Sequence, residues 1–172
     1  WIERVRTQLE LFDCLRLDHF RGFESYWEIP AAAPTAVNGE WHPGPGAGLF
    51  AAVRKAVGTL PFVAEDLGII TAKVTALRKS LRLPGISVLQ FAFDGSANNP
   101  YLPHNHAVDT LACTGTHDND TSVGWFDALD PHTRTRVLDY LGRPSEPMPW
   151  PLIRAALASV ARLAIVPMQD LL

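Results

Sequence analysis

Cysteine is scarce in this chain: two residues, Cys14 and Cys113, among 172. They lie far apart in apolar, strand-like runs and lack the paired spacing of a zinc site, so both read as small core residues. A bridge between them stays open on sequence alone, but two cysteines make no disulfide framework, which fits a reducing compartment. A basic surplus is missing as well. Fifteen Lys and Arg stand against 18 Asp and Glu, a net charge of -3, and no Lys/Arg cluster offers a groove for phosphates, which argues against nucleic acid as a partner. Long apolar runs are also absent: each is interrupted well before the roughly 20 residues that a membrane-spanning helix needs. The start, Trp1-Ile2-Glu3-Arg4-Val5-Arg6, lacks the basic-then-apolar plan of a signal peptide. The expectation is a soluble, cytoplasmic protein with neither a nucleic-acid nor a membrane partner. What remains is a globular balance, 47% hydrophobic and 19% charged, at the length of one ordinary domain.

Trp1, Val5 and Leu9 recur every four residues with charges between them, which predicts an opening amphipathic helix. Five compact apolar stretches follow, Phe12 to Leu17, Leu60 to Ala64, Ile86 to Phe93, Thr110 to Thr114 and Leu163 to Met168. Their near-continuous hydrophobicity, without clean alternation, is the pattern of parallel strands covered on both faces. Helical spacing lies between them: Leu49, Val53 and Val57; then Val74, Leu77 and Leu81 after Thr71 as N-cap; then a helix opened by Asp130-Pro131 and stopped by Gly142 and Pro144; then one over about Pro151 to Arg162. Alternation of this kind predicts parallel α/β architecture. From Pro30 to Gly48 the pattern lapses into Ala, Pro and Gly around Trp41, read as a long site loop rather than a domain linker. Five strands do not close an eight-stranded barrel. The chain opens on a helix with no strand before it, so the expectation is one domain, residues 1–172, that is a piece of something larger.

Three acidic stretches stand at the ends of apolar runs: Asp18-His19-Phe20-Arg21-Gly22, Glu65-Asp66-Leu67-Gly68 and His117-Asp118-Asn119-Asp120-Thr121. Parallel strand ends would gather Asp18, Glu65 and Asp118 into one pocket. Retaining cleavage of a glycosidic bond needs one carboxylate nucleophile and one carboxylic acid about 5 Å away. A third acid can hold sugar hydroxyls and stabilise the oxocarbenium-like transition state. Arg16, two residues before Asp18, faces the same side by strand periodicity and could hold and aim that carboxylate. His117 is a donor suited to sugar hydroxyls, and Tyr26, Trp27 and Trp41 offer flat faces on which sugar rings stack.

Each motif also has a plainer reading. An Asp after a strand is commonly a helix cap or ion-pair partner. Asp66 reads as solvated or capping, Asn119 and Asp120 as turn-shaping, Arg21 as an ion-pair partner, and Trp1, Trp125 and Trp150 as packing residues. His104-Asn105-His106 has the look of a metal pair, but no third ligand is assignable, so no metal is expected there. No calcium site is legible, and two carboxylates need no cofactor.

At these residues the chain resembles a known family. Arg16-Leu17-Asp18-His19-Phe20-Arg21-Gly22-Phe23 with Tyr26-Trp27-Glu28-Ile29-Pro30, Ala64-Glu65-Asp66-Leu67-Gly68, Val88-Leu89-Gln90-Phe91-Ala92-Phe93 and Gly115-Thr116-His117-Asp118-Asn119-Asp120-Thr121 resemble, in order and spacing, the 4-alpha-glucanotransferases called amylomaltases or disproportionating enzymes. Gly39-Glu40-Trp41 with Gly44-Pro45-Gly46 and Phe50 is similar to that family's loop before the acid/base strand, and the likeness covers essentially the whole chain. Leu17 stands where isoleucine is common, a change of similar volume. The resemblance implies the C-terminal part of a (β/α)8 TIM-type barrel, with the five strands as the fourth to eighth. It implies retaining transfer of an alpha-1,4-glucan segment to another glucan's or glucose's 4-hydroxyl, with Asp18 as nucleophile, Glu65 as acid/base and Asp118 as transition-state stabiliser. Arg16 and His117 match positions that support the nucleophile and the sugar. Two rivals remain: an alpha-glucan hydrolase of the amylase clan using the same acids, and a noncatalytic glucan-binding or oligomerising fragment. An open half-barrel is expected to self-associate through its strand edges and to have little or no activity alone.

Overall fold

Leu15–Leu17 (β1) and Phe62–Ala64 (β4) run parallel, with Leu15 opposite Phe62, Arg16 opposite Val63 and Leu17 opposite Ala64. The computed structural model describes residues 1–172, which divide into two compact units, Trp1–Gly85 and Ile86–Leu172. In the first unit the order is α1 (Ile2–Leu9), β1, a 3-10 turn at Phe20–Phe23, β2 (Ser25–Glu28), β3 (Glu40–Pro43), α2 (Gly46–Val57), β4 and α3 (Ala72–Ser80). All three residues of β4 are buried, as expected of a parallel strand covered on both faces. The helices supply the cover. Val5 of α1, Phe50 and Val53 of α2 and Val74 of α3 join Leu17, Phe20, Phe23 and Phe62 in one core. Phe50 is its centre, with ring centroids 5.8 Å from Phe20, 5.1 Å from Phe23 and 6.4 Å from Phe62.

Thr71 caps α3 as expected, its hydroxyl accepting from the Val74 N–H at 3.4 Å. The first strand is shorter than its apolar run. Phe12 is exposed, and Cys14 is exposed rather than a core residue, so only Cys113 meets that expectation. Part of the Pro30 to Gly48 connection is also structured. Ser25–Glu28 and Glu40–Pro43 form an antiparallel hairpin pairing Trp27 with Trp41 and Tyr26 with His42. Tyr and Trp are strand-favouring residues, and that propensity was the available signal.

The second unit holds β5 (Gly85–Val88, all but its first residue), β6 (Thr110–Cys113) and β7 (Leu163–Ile165) in that spatial order, with β6 and β7 parallel. Helices α4 (Ser122–Ala128), α5 (Pro131–Tyr140) and α6 (Trp150–Leu157) accompany them. Leu89, Phe93, Leu102, Ala112, Val137 and Leu152 are in its core. Asp130 caps α5 through the His132 and Thr133 amides at 3.0 and 3.1 Å. The apolar run from Ile86 to Phe93 is a strand only to Val88, and Leu89–Phe91 is a 3-10 turn. The last strand stops at Ile165, ahead of Pro167, which lacks a ladder donor. Helix α6 ends at Leu157, short of Arg162, where the Ser159 hydroxyl donates to the Ala156 carbonyl at 2.8 Å. Helix α4 has too short an apolar period to stand out in the sequence; Thr121 caps it, accepting from the Gly124 N–H at 3.1 Å. No helix is long and apolar enough to cross a membrane.

Candidate active site

Asp18 and Glu65 occupy equivalent places, each one residue beyond the last paired residues of β1 and β4, Leu17 and Ala64. The backbone extends that pairing: Glu65 N–H donates to the Leu17 carbonyl at 2.9 Å, and Phe20 N–H donates to the Glu65 carbonyl at 3.0 Å. Two side-chain contacts tighten it. Glu65 Oε2 accepts from the His19 N–H at 2.6 Å and Oε1 from the Leu67 N–H at 2.9 Å. His19, which makes the first of these contacts, has a left-handed conformation, φ 48° and ψ 54°, a sparsely populated state for a non-glycine residue. Asp18 is therefore flanked by two residues hydrogen-bonded to Glu65, and the two acids are set side by side through short-range geometry.

Arg16 Nη1 lies 2.7 Å from Asp18 Oδ1, which bears out the expected alignment along one strand face. A cleft of about 430 Å³ in the first unit reaches this point, lined by Val5, Leu15, Arg16, Leu17 and Asp18.

Asp66 corrects the reading of a solvated residue. Its Oδ2 lies 2.9 Å from Arg78 Nε, and the two side chains are only 15% and 12% exposed. A Cβ at Gly85 would fall 2.7 Å from Asp66 Oδ1, so the carboxylate is seated against bare backbone. The partner sits twelve residues away on α3, and no local pattern announces it.

Tyr26, Trp27 and Trp41 are exposed rings on the hairpin, 43%, 38% and 53% accessible, but only the two tryptophans come together; Tyr26 alternates to the other face and stacks on His42 at 5.9 Å. Trp27 and Trp41 pack edge to face at 5.4 Å, and Trp27 Nε1 donates to the Ala36 carbonyl at 2.8 Å. The close fit of the loop depends on Gly39, where a Cβ would lie 2.8 Å from the Trp27 ring. Arg21 is not an ion-pair partner. Its guanidinium lies 4.4 Å from the centroid of the Trp41 ring and Nη1 donates to the Ile69 carbonyl at 2.9 Å. That contact braces the indole, which stays 53% exposed.

In the second unit His117 and Asp118 follow β6 on the loop to α4, both largely exposed, with Nε2 3.4 Å from Oδ1. Asn119 shapes the turn as expected, its Oδ1 accepting from the Thr116 N–H at 2.9 Å and the Thr116 hydroxyl at 2.8 Å. Gln90 Nε2 donates to the Asp120 carbonyl at 3.0 Å, which gives the Leu89–Phe91 turn a role in holding this loop. Trp1 packs its ring at 5.3 Å from Phe23 and Trp125 at 5.9 Å from Phe93. His104 and His106 are engaged separately, His104 Nδ1 with the Tyr140 hydroxyl at 2.8 Å and His106 Nε2 with the Tyr101 carbonyl at 3.0 Å. The first unit thus collects Arg16, Asp18, Glu65 and the aromatic hairpin, and the second presents His117 and Asp118.

Comparison with known proteins bears on this arrangement directly. The chain is 49% identical over 180 residues to a 4-alpha-glucanotransferase of Thermus thermophilus and 51% identical over 175 residues to one of Synechocystis sp., with all of this chain covered. It is also 49% identical over its whole length to the chloroplastic/amyloplastic 4-alpha-glucanotransferase DPE1 of Arabidopsis thaliana. It spans 36%, 35% and 30% of those three relatives, about a third of their length. Among solved structures, the Streptococcus agalactiae amylomaltase in complex with acarbose superposes with a TM-score of 0.93 at 39% identity, over 99% of this chain and 35% of that one. The Corynebacterium glutamicum amylomaltase shares the fold, with a TM-score of 0.75 at 17% identity, over 96% of this chain and 29% of that one. The family model described as 4-alpha-glucanotransferase matches residues 1–172, and with the acidic strand ends and their neighbours in place, this α/β chain belongs to the 4-alpha-glucanotransferase family.

Proposed function

We propose that residues 1–172 are the C-terminal part of a (β/α)8 barrel, strands four to eight, in a 4-alpha-glucanotransferase that moves alpha-1,4-glucan segments onto the 4-hydroxyl of another glucan or of glucose. The observation that carries this reading is the pairing of Asp18 and Glu65 beyond the same ends of two adjacent parallel strands, where barrel enzymes keep their reacting groups. The hairpin's exposed rings fit a sugar-binding role, and the name of the acarbose-bound relative is consistent with a glucan-like ligand.

On this reading Asp18 attacks the anomeric carbon as Glu65 gives a proton to the departing 4-oxygen, leaving a glycosyl ester on Asp18. The acceptor's 4-hydroxyl then loses its proton to Glu65 and displaces Asp18, which restores both carboxyls and the anomeric configuration. Arg16 aims Asp18 throughout. Both Glu65 oxygens accept backbone N–H groups, so the proton-donating step exchanges one amide contact for the glycosidic oxygen. Asp118, with His117 beside it, takes the role of holding sugar hydroxyls and stabilising the oxocarbenium-like transition state. Neither a metal nor an organic cofactor enters these steps. The cytoplasmic setting stays part of the proposal, supported by two unbridged thiols, Cys14 and Cys113.

The deciding experiment traps the intermediate on the full-length protein with an activated fluoro-sugar and maps the ester by peptide mass spectrometry. Label on Asp18 is expected, and label on any other residue overturns the mechanism. Asp18→Asn should lower disproportionation of maltotriose at least about a thousandfold. A ladder of longer maltooligosaccharides marks transfer, whereas release of glucose and maltose alone would mark the hydrolase.

A further inference from the structure

Asp170 is a buried acid that the proposed chemistry does not use. It is 5% exposed and sits in the 3-10 turn Met168–Asp170 beyond β7. Its oxygens take three donors: the Thr114 hydroxyl at 2.6 Å and the Ser122 hydroxyl at 2.7 Å on Oδ2, and the Ser122 N–H at 2.7 Å on Oδ1. Thr114 and Ser122 are themselves fully buried. Thr114 is the first residue after β6, and Ser122 is the first of α4. One carboxylate therefore ties both ends of the loop that carries His117 and Asp118.

A buried acid held by neutral donors is a costly arrangement unless its hydrogen bonds are all met. What it achieves here is geometric. The seven residues between Thr114 and Ser122 start and finish on a single fixed anchor. Inside the loop, Asn119 clasps Thr116, Gln90 holds the Asp120 carbonyl, and Asp118 N–H donates to the Thr116 hydroxyl at 3.3 Å. Asp118 is thereby exposed on a loop whose base is locked. A cavity of about 310 Å³ joins the two parts, lined by Thr116, His117, Asp120, Gln169 and Asp170 among others.

We propose that Asp170 is a positioning residue for glucan transfer: it fixes the Thr114–Ser122 loop so that Asp118 meets the sugar in the transition state. The proposal rests on the reading of Asp118 given above. A group acting only on transition-state complementarity lowers kcat and kcat/KM together and leaves KM in place. Because Asp170 acts through Asp118, its removal matters only while Asp118 is there to be positioned.

The test is a double-mutant cycle in the full-length protein, with maltotriose disproportionation normalised to the folded fraction from thermal unfolding. Asp170→Ala is expected to lower kcat about 10- to 100-fold with KM within about twofold, and to change kcat less than about threefold in an Asp118→Asn background. Equal losses in both backgrounds mark a general packing role and overturn the proposal, as does an unchanged kcat in the single variant. Should Asp170→Ala fail to fold, Thr114→Val and Thr114→Ser replace it. Loss of kcat in the first with rescue in the second supports the anchor, and equal activity in both sinks it. If Asp118→Asn itself keeps wild-type activity, the role of Asp118 fails first and takes the proposal with it, an outcome separable from failure at Asp170 alone.

Discussion

Asp66 and Glu65 are adjacent acids with opposite surroundings. Glu65 turns its oxygens to the amides of His19 and Leu67, while Asp66 is paired with Arg78 in a site largely closed to water. Removing one partner of such a pair leaves the other buried and unmatched. Arg78 also donates Nη1 to the Leu83 carbonyl at 2.7 Å. Arg78→Ala is therefore expected to destabilise the folded protein by about 3 kcal/mol, read from the urea midpoint at constant m-value; a loss below about 1 kcal/mol would show that water screens the pair. His106 gives a pH signature. Burial holds it below the ordinary histidine range, against its hydrogen bond to the Tyr101 carbonyl, with His104 also disfavouring its charge. A folded-state value below the unfolded one means that the unfolded chain binds the extra proton first. Its contribution is complete above the unfolded value near 6.5 and is lost as pH falls through the lowered folded value. Thermal stability should thus fall on acidification below about pH 6.5, and His106→Gln should flatten that part of the profile; an unchanged slope in the variant assigns it elsewhere.

Two elements invite tests at their own scale. Helix α3 opens on the Thr71 cap and carries Arg78 to Asp66, so its start fixes where the ion pair forms. Thr71→Ala should cost about 1 kcal/mol, seen as a lowered denaturation midpoint, with Thr71→Ser close to wild type. The β2–β3 hairpin has exposed aromatic faces and is braced by Arg21 over Trp41. If Trp41 is a sugar platform, it binds ground state and transition state alike. Trp41→Ala should then raise KM for maltooligosaccharides several-fold with kcat nearly unchanged, measured in the full-length protein. A fall in kcat at constant KM would instead make the hairpin part of the reacting geometry.

At the scale of the whole molecule, edges matter most. β1 pairs with β4 alone in its sheet, and β7 ends the β5–β6–β7 sheet. β7 also exposes Leu163 and Ile165, and Phe12 lies exposed ahead of β1. Unpaired strands beside apolar side chains favour association. The chain spans only about a third of its curated relatives, so groups from the remaining two thirds are missing from any site it forms alone. The isolated 172-residue chain should sediment as a self-associated species and leave maltotriose unconverted under conditions where the full-length protein disproportionates it. Robust turnover by the isolated chain would refute this.

The amino-acid pattern by itself determined the order of the apolar strands and most helices, because buried strands such as β4, β5 and β6 leave uninterrupted apolar runs and capped helices leave a polar residue before a periodic stretch; the same runs overstated the burial of β1 and β7, of which only Leu17 is buried. Thr71 and Asp130 were legible as caps for that reason. The order of acidic motifs was also legible, and with it the family. Tertiary structure decided what depends on residues distant in the chain. It set Glu65 against the amide of His19, buried Asp66 with Arg78, laid Arg21 over Trp41 and closed the Thr114–Ser122 loop on Asp170. Separations of 46, 48 and 56 residues in such contacts carry no local period. A hydrogen bond or ion pair depends on where two side chains meet in space, and only the packing of strands and helices sets that.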